Sequence, residues 1–160
     1  MSHSVTITRT TTSTTNTSYI VLNTGYLKSF PGILKLFELL VGAAIVGLMA
    51  YNFRDYYHTF RGQQDLFHYL MATTFMIGTF CLLLSCLTSL STGGIIAKTI
   101  YELIYHSIAA ILLLASSTCL LIELRNRKHD GYMAAGILGL VNCILYFISA
   151  FLAHRSYRGI

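Results

Sequence analysis

Glu38, Glu102 and His106 are ionisable groups that fall inside long apolar runs of this 160-residue chain. Such groups are costly in hydrocarbon, and by default they mark proton or ion sites. Glu38 follows Lys35 by three positions, while Glu102 lies four after Lys98 and four before His106. Each acid therefore has a neighbour on its own helical face. Two readings stay open: a proton or ion site, or shallow acids favoured by a positive helix N-terminus and a nearby lysine. Glu102 and His106 also have the spacing of a metal pair. Two ligands do not close a zinc site, and no third stands near in sequence, so no metal and no cofactor is expected.

A second group of residues could act through packing. Gly131, Ala135 and Gly139 recur every fourth residue, giving a flat stripe on which another helix can lie close, and Gly42 and Gly47 form a weaker one. Asn142 falls near the middle of the same run and must find a partner for its amide. The stripe serves either packing within one molecule or self-association between copies. Cys86 is an acylation candidate if its side of the membrane is cytoplasmic. Tyr157 through Ile160 fit a tyrosine-plus-hydrophobe sorting signal, and Asn16-Thr17-Ser18 is a formal glycosylation acceptor if the tail is lumenal. Weak cholesterol-contact patterns occur at Leu48, Tyr51 and Arg54, and in reverse at Lys98, Tyr101 and Leu103.

The elements that must position these residues are legible in composition. Hydrophobic residues make up 54% of the chain and charged residues 11%, outside the globular range. The apolar residues cluster in four windows of roughly 20 residues, the length a helix needs to cross about 30 Å of hydrocarbon. The spans are expected near residues 33–53, 66–87, 100–124 and 132–153. The fold class is therefore all-α: a four-transmembrane-helix bundle with short loops and a disordered N-terminal tail. All four cysteines, Cys81, Cys86, Cys119 and Cys143, lie within the spans, which excludes a disulfide-held extracellular loop.

The chain divides into a Ser/Thr-rich tail over residues 1–30, a membrane domain over 31–155 and a short basic tail over 156–160. Pro31 and Gly32 mark the first boundary, since proline suits the first turn of a helix. The first span itself must serve as the insertion signal, because the first apolar run begins well behind the N-terminus. The formal charge of +5 is scattered singly over termini and loops, so no nucleic-acid face exists. Lys28, Lys35, Arg54, Lys98, Arg125, Arg155 and Arg158 read as snorkelling anchors at the span ends. Near the membrane, five basic residues fall on each side, and charge alone leaves the orientation open.

Three stretches carry a family resemblance: GILKLFELLVGAAIVGLMA in the first span, KTIYELIYHSIAAILLLASSTCLLIE in the third and AAGILGLVNCILYFISAFLA, with its central Tyr146, in the fourth. Together with the short loops, they make residues 31–155 resemble a MARVEL-domain protein. The Thr-rich leader resembles that of the myeloid-associated differentiation marker, whereas the compact single domain is more similar to plasmolipin and the chemokine-like-factor group. The resemblance implies cytoplasmic termini, residence in plasma membrane or endosomal vesicles, and roles in vesicle traffic, membrane apposition or fusion, cell junctions and cholesterol-rich domains.

The expectation is a non-enzymatic, multi-pass organiser of membrane that acts through lipid and helix packing. Its partners would be membrane lipids, with cholesterol among the candidates, further copies of itself or other membrane proteins. The alternative is a small channel or transporter subunit with Glu38, Glu102 and His106 at its mouth, which four such apolar helices disfavour. No paired acid, metal set or activated nucleophile points to an enzyme.

Overall fold

The computed structural model describes residues 23–55, 62–88, 95–96, 99–125 and 130–159, of which 54 and 55 are described as backbone only. Four long helices carry the fold: α1 (Phe30–Asp55), α2 (Gln63–Thr88), α3 (Ile100–Leu124) and α4 (Asp130–Arg158). At 1.5 Å per residue, even the 25-residue α3 exceeds the hydrocarbon thickness of about 30 Å. Each helix holds a window apolar enough to cross a membrane, and the described residues contain no strand. The chain's single proline, Pro31, sits in the first turn of α1, so no proline interrupts a span.

The N-terminal boundary lies earlier than the sequence suggests. Residues 1–22 of the expected disordered tail lie outside the described residues, but residues 23–30 are folded. Tyr26–Lys28 form one 3-10 turn, and the Asn23 amide donates to the Leu87 carbonyl at 2.7 Å, tying this segment to the end of α2. Ser29 then caps α1: its hydroxyl accepts from the Gly32 amide at 3.3 Å and donates to the Tyr26 carbonyl at 2.6 Å. Gly32 is required by closeness, since a Cβ there would stand 2.1 Å from the Tyr26 carbonyl oxygen.

The helices pack in cyclic order. α1 meets α2 and α4, α3 meets α2 and α4, and the most extensive contact is between α3 and α4. Helices α1 and α3 thus face each other across the bundle diagonal and run in the same direction. Towards the end of the bundle where α1 and α3 finish, Ile45, Met49, Ala72, Leu120, Leu124, Tyr132 and Ala135 form an apolar core. A second cluster holds Phe75, Ala109, Ala110, Leu113 and Tyr146. The outside is equally apolar: Phe37, Phe80, Ile111, Phe147 and Phe151 all face outward. Aromatic residues Phe30, Tyr51, Tyr101 and Tyr157 are exposed near the helix ends, where headgroups would meet them. With lipid outside as apolar as the interior, cohesion must come from close packing and internal hydrogen bonds.

Candidate functional site

The polar side chains expected at the membrane rim instead turn inward. Lys35, read from sequence as a snorkelling anchor, is 2% exposed, and Glu38 and His106 are fully buried. The reason is parallel register. The pair Lys35/Glu38 on α1 and the pair Glu102/His106 on α3 are each about one turn apart, near the starts of two helices that run the same way. Basic and acidic side chains therefore meet rung by rung across the diagonal. The Lys35 ammonium donates to Glu102 Oε1 in a buried ion pair. One turn deeper, His106 Nε2 lies 3.7 Å from Glu38 Oε2. Among the described residues, the acids' side-chain partners lie across the bundle, not along their own helices as the spacing suggests. Lys98, the other expected partner of Glu102, lies outside the described residues.

Helix α4 closes this ladder. Ser149 donates to Glu38 Oε1, leaving Oε2 for the histidine side. His106 Nδ1 lies 2.7 Å from the backbone carbonyl of Glu102, so it carries a hydrogen, because a carbonyl oxygen only accepts. The His106 ring stands edge-on to Tyr105 at 5.1 Å and also meets Tyr146 at 5.9 Å. Those two hydroxyls gather at Thr79 on α2. Thr79 Oγ1 is 2.6 Å from the Tyr146 hydroxyl and 3.0 Å from that of Tyr105, and both tyrosines also reach the Phe75 carbonyl. All four helices thus contribute to one internal polar network.

At its outer end the network is roofed by Tyr26. The Lys35 ammonium lies 6.0 Å from the centre of the Tyr26 ring, at the reach of a cation–π contact. Burial pushes the Tyr26 phenol up to about 12, against the smaller opposing pull of the Lys35 charge. The Tyr26 hydroxyl also engages the thiol of Cys86, which is 1% exposed. Cys86, the acylation candidate, is thus buried in this fold, whereas Cys81 and Cys119 are exposed. A cavity of about 50 Å³ opens beside the ion pair, lined by Pro31, Lys35, Glu102, Ser149, Ala153 and Ser156, among others. That volume holds one or a few waters.

The small-residue stripe of α4 is spent inside the molecule. A Cβ on Gly131 would stand 2.2 Å from the Asn52 amide of α1, and one on Gly139 would stand 2.2 Å from Ser117 Oγ and 2.5 Å from the His68 ring. Ala135 and Asn142 are buried with them, and Gly42 lies against Met76 and Asn142. These are contacts of packing within one molecule. Gly47 alone of the group has nothing within 4 Å of an added Cβ. Tyr157 is exposed, whereas Ile160 lies outside the described residues, as does Asn16.

Sequence reading also missed buried polar residues. Asp65, in the first turn of α2, is 3% exposed and so joins Glu38 and Glu102 as an acid within the helices. His68 is fully buried, its Nδ1 lying 3.2 Å from Ser116 Oγ of α3. Thr79, Ser116, Ser117 and Ser149 are likewise internal. Hydroxyl residues have no obligate pattern within a span, so only matching register could have raised them. Among the described residues, no cluster of three His, Cys, Asp or Glu side chains is placed to hold a metal ion.

Comparison with known proteins agrees with this architecture. The family model of the MARVEL membrane-associating domain matches residues 26–152. No curated protein and no solved structure matches the chain.

Proposed function

The chain belongs to the MARVEL family of membrane-associating domains, and from that premise we propose that it is a non-enzymatic organiser of membrane. It works by presenting a rigid apolar surface to lipids and neighbouring membrane proteins during vesicle traffic, membrane apposition or fusion, or junction assembly. One observation carries this reading: polar chemistry is turned inward and tied between helices, while large apolar side chains face outward on every helix. The surface left for other molecules is one for lipid and for packing. Both termini are cytoplasmic in this reading, and the protein resides in the plasma membrane or endosomal vesicles. Its lipid partners include cholesterol.

The rival reading, a small channel or transporter subunit, draws on the same buried Glu38, Glu102 and His106. These groups are engaged across the bundle diagonal, and the adjoining cavity is only about 50 Å³, which supports packing over conduction. Reconstitution separates the two. In giant vesicles with coexisting ordered and disordered lipid phases, the purified protein should concentrate in one phase or at vesicle contacts without passing ions. Even distribution together with ion flux that Glu102→Gln abolishes would transfer the case to the channel.

A further inference from the structure

We infer that Glu38 and His106 form a built site for a single proton, held between helices α1 and α3 in the interior of the bundle. His106 Nδ1 spends its hydrogen on the Glu102 carbonyl, so in a neutral ring Nε2 is a bare lone pair. That lone pair faces Glu38 Oε2 at 3.7 Å. An ionised carboxylate oxygen is also an acceptor, and neither atom has any other hydrogen-bond partner. Two acceptors sealed face to face repel. One added proton, on either atom, turns the pair into a donor and an acceptor.

Charge balance leads to the same count. Lys35 and Glu102 cancel each other. The Glu38/His106 pair is neutral with one proton, whether as carboxylic acid and imidazole or as carboxylate and imidazolium. Without the proton the buried network carries a net negative charge, and with two it carries a net positive one. Both are penalised where Glu38 and His106 have no exposure. The surrounding groups do not alter this sum. Glu38 is faced by Ser149 and Tyr146 of α4, by His106 and Tyr105 of α3, and by Lys35 of its own helix with its Glu102 partner. From α2 come Thr79, through the tyrosine hydroxyls, and Cys86, beyond Lys35 and Tyr26. The hydroxyls and the thiol are neutral.

Ser149 gives the site its connection to the outside. It donates to Glu38 Oε1 and also lines the cavity beside Lys35 and Glu102, next to Ser156 at the end of the bundle where α1 begins and α4 ends. A proton can therefore pass between that cavity and Glu38 through a single hydroxyl. The site answers to protons from one side of the membrane, a property separate from the membrane-organising role.

The test uses the full chain in lipid nanodiscs at neutral pH. Infrared spectroscopy reads the carboxylic-acid carbonyl stretch of Glu38, and ring-nitrogen NMR of isotope-labelled histidine reads His106. The His106 signals are assigned by replacing the other five histidines in turn. The expected result is one signature of the two: an acid band with a neutral ring, or an ionised Glu38 with both His106 nitrogens protonated. Glu38→Gln should remove the band in the first case and return His106 to a neutral ring in the second. If that variant does not fold, Glu38→Asp, which shifts the carboxyl signals, identifies them instead. An ionised Glu38 beside a neutral His106 overturns the inference, and so does a pair carrying both protons.

Discussion

Replacing Lys35 by methionine should be among the most damaging single substitutions in this protein, although methionine nearly matches its length. The lysine and Glu102 side chains are 2% and 7% exposed, and their ion pair crosses the bundle. Removing the cation leaves a carboxylate enclosed without its partner, a loss of about 3–5 kcal/mol in comparable buried pairs. Two features favour the lower end. Glu102 lies two residues past the start of α3, roughly 3 Å along the helix axis, so headgroup water is near. The carboxylate can also take up a proton and so shed its charge. We therefore expect about 3 kcal/mol. The double variant Lys35→Met/Glu102→Leu removes both charges and should return to within about 1 kcal/mol of the original protein. Equilibrium unfolding in mixed micelles, followed by far-ultraviolet circular dichroism, measures all three variants. A coupling energy under about 0.5 kcal/mol, with the single variant costing no more than the double, would show that the two charges do not depend on each other.

Further outcomes follow from the packing and from the roof of the network. Gly139→Ala places a methyl group 2.2 Å from Ser117 Oγ and should cost about 1–3 kcal/mol by overpacking, whereas Gly47→Ala, into open space, should stay within about 0.5 kcal/mol; thermal unfolding in detergent compares them. The Tyr26 phenol is raised to about 12 from an ordinary value of 10.0, so the folded state holds its proton more tightly than the unfolded state does. That contribution is fully present below pH 10 and is lost as pH rises towards 12; Tyr26→Phe should flatten this alkaline limb of the stability profile. For orientation, a background lacking Cys81, Cys86, Cys119 and Cys143 takes either Ser13→Cys or Asn126→Cys. In intact cells an impermeant maleimide should label only the Asn126→Cys protein; labelling of Ser13→Cys instead would place the termini outside and remove that part of the functional reading.

The four spans, their approximate ends and the absence of disulfide-held loops were legible in the chain because they depend on local quantities. A run of apolar residues long enough to cross hydrocarbon leaves its backbone no alternative to helix, whatever its neighbours do. Family membership was also legible, and the match over residues 26–152 bears it out. The α4 stripe could be recognised as a packing surface from its spacing, but its partner could not. That partner proved to be Asn52 for Gly131, and Ser117 with His68 for Gly139.

The fate of the charges was decided by the tertiary structure alone. In the sequence Lys35 looks like any lysine near a membrane face, because a flexible ammonium can reach water from that depth. What draws it inward is Glu102, 67 positions away, presented at the same height by a helix running parallel to α1 across the bundle. Asp65, His68 and Ser149 are internal for the same kind of reason, each facing another helix instead of lipid. Sequence sets which segments must enter the membrane, since that depends on transfer of each segment by itself. It does not set the rotation of each helix about its axis. That follows from which partners the neighbouring helices bring to the same depth, and it separates a lysine at the lipid headgroups from one sealed in the core.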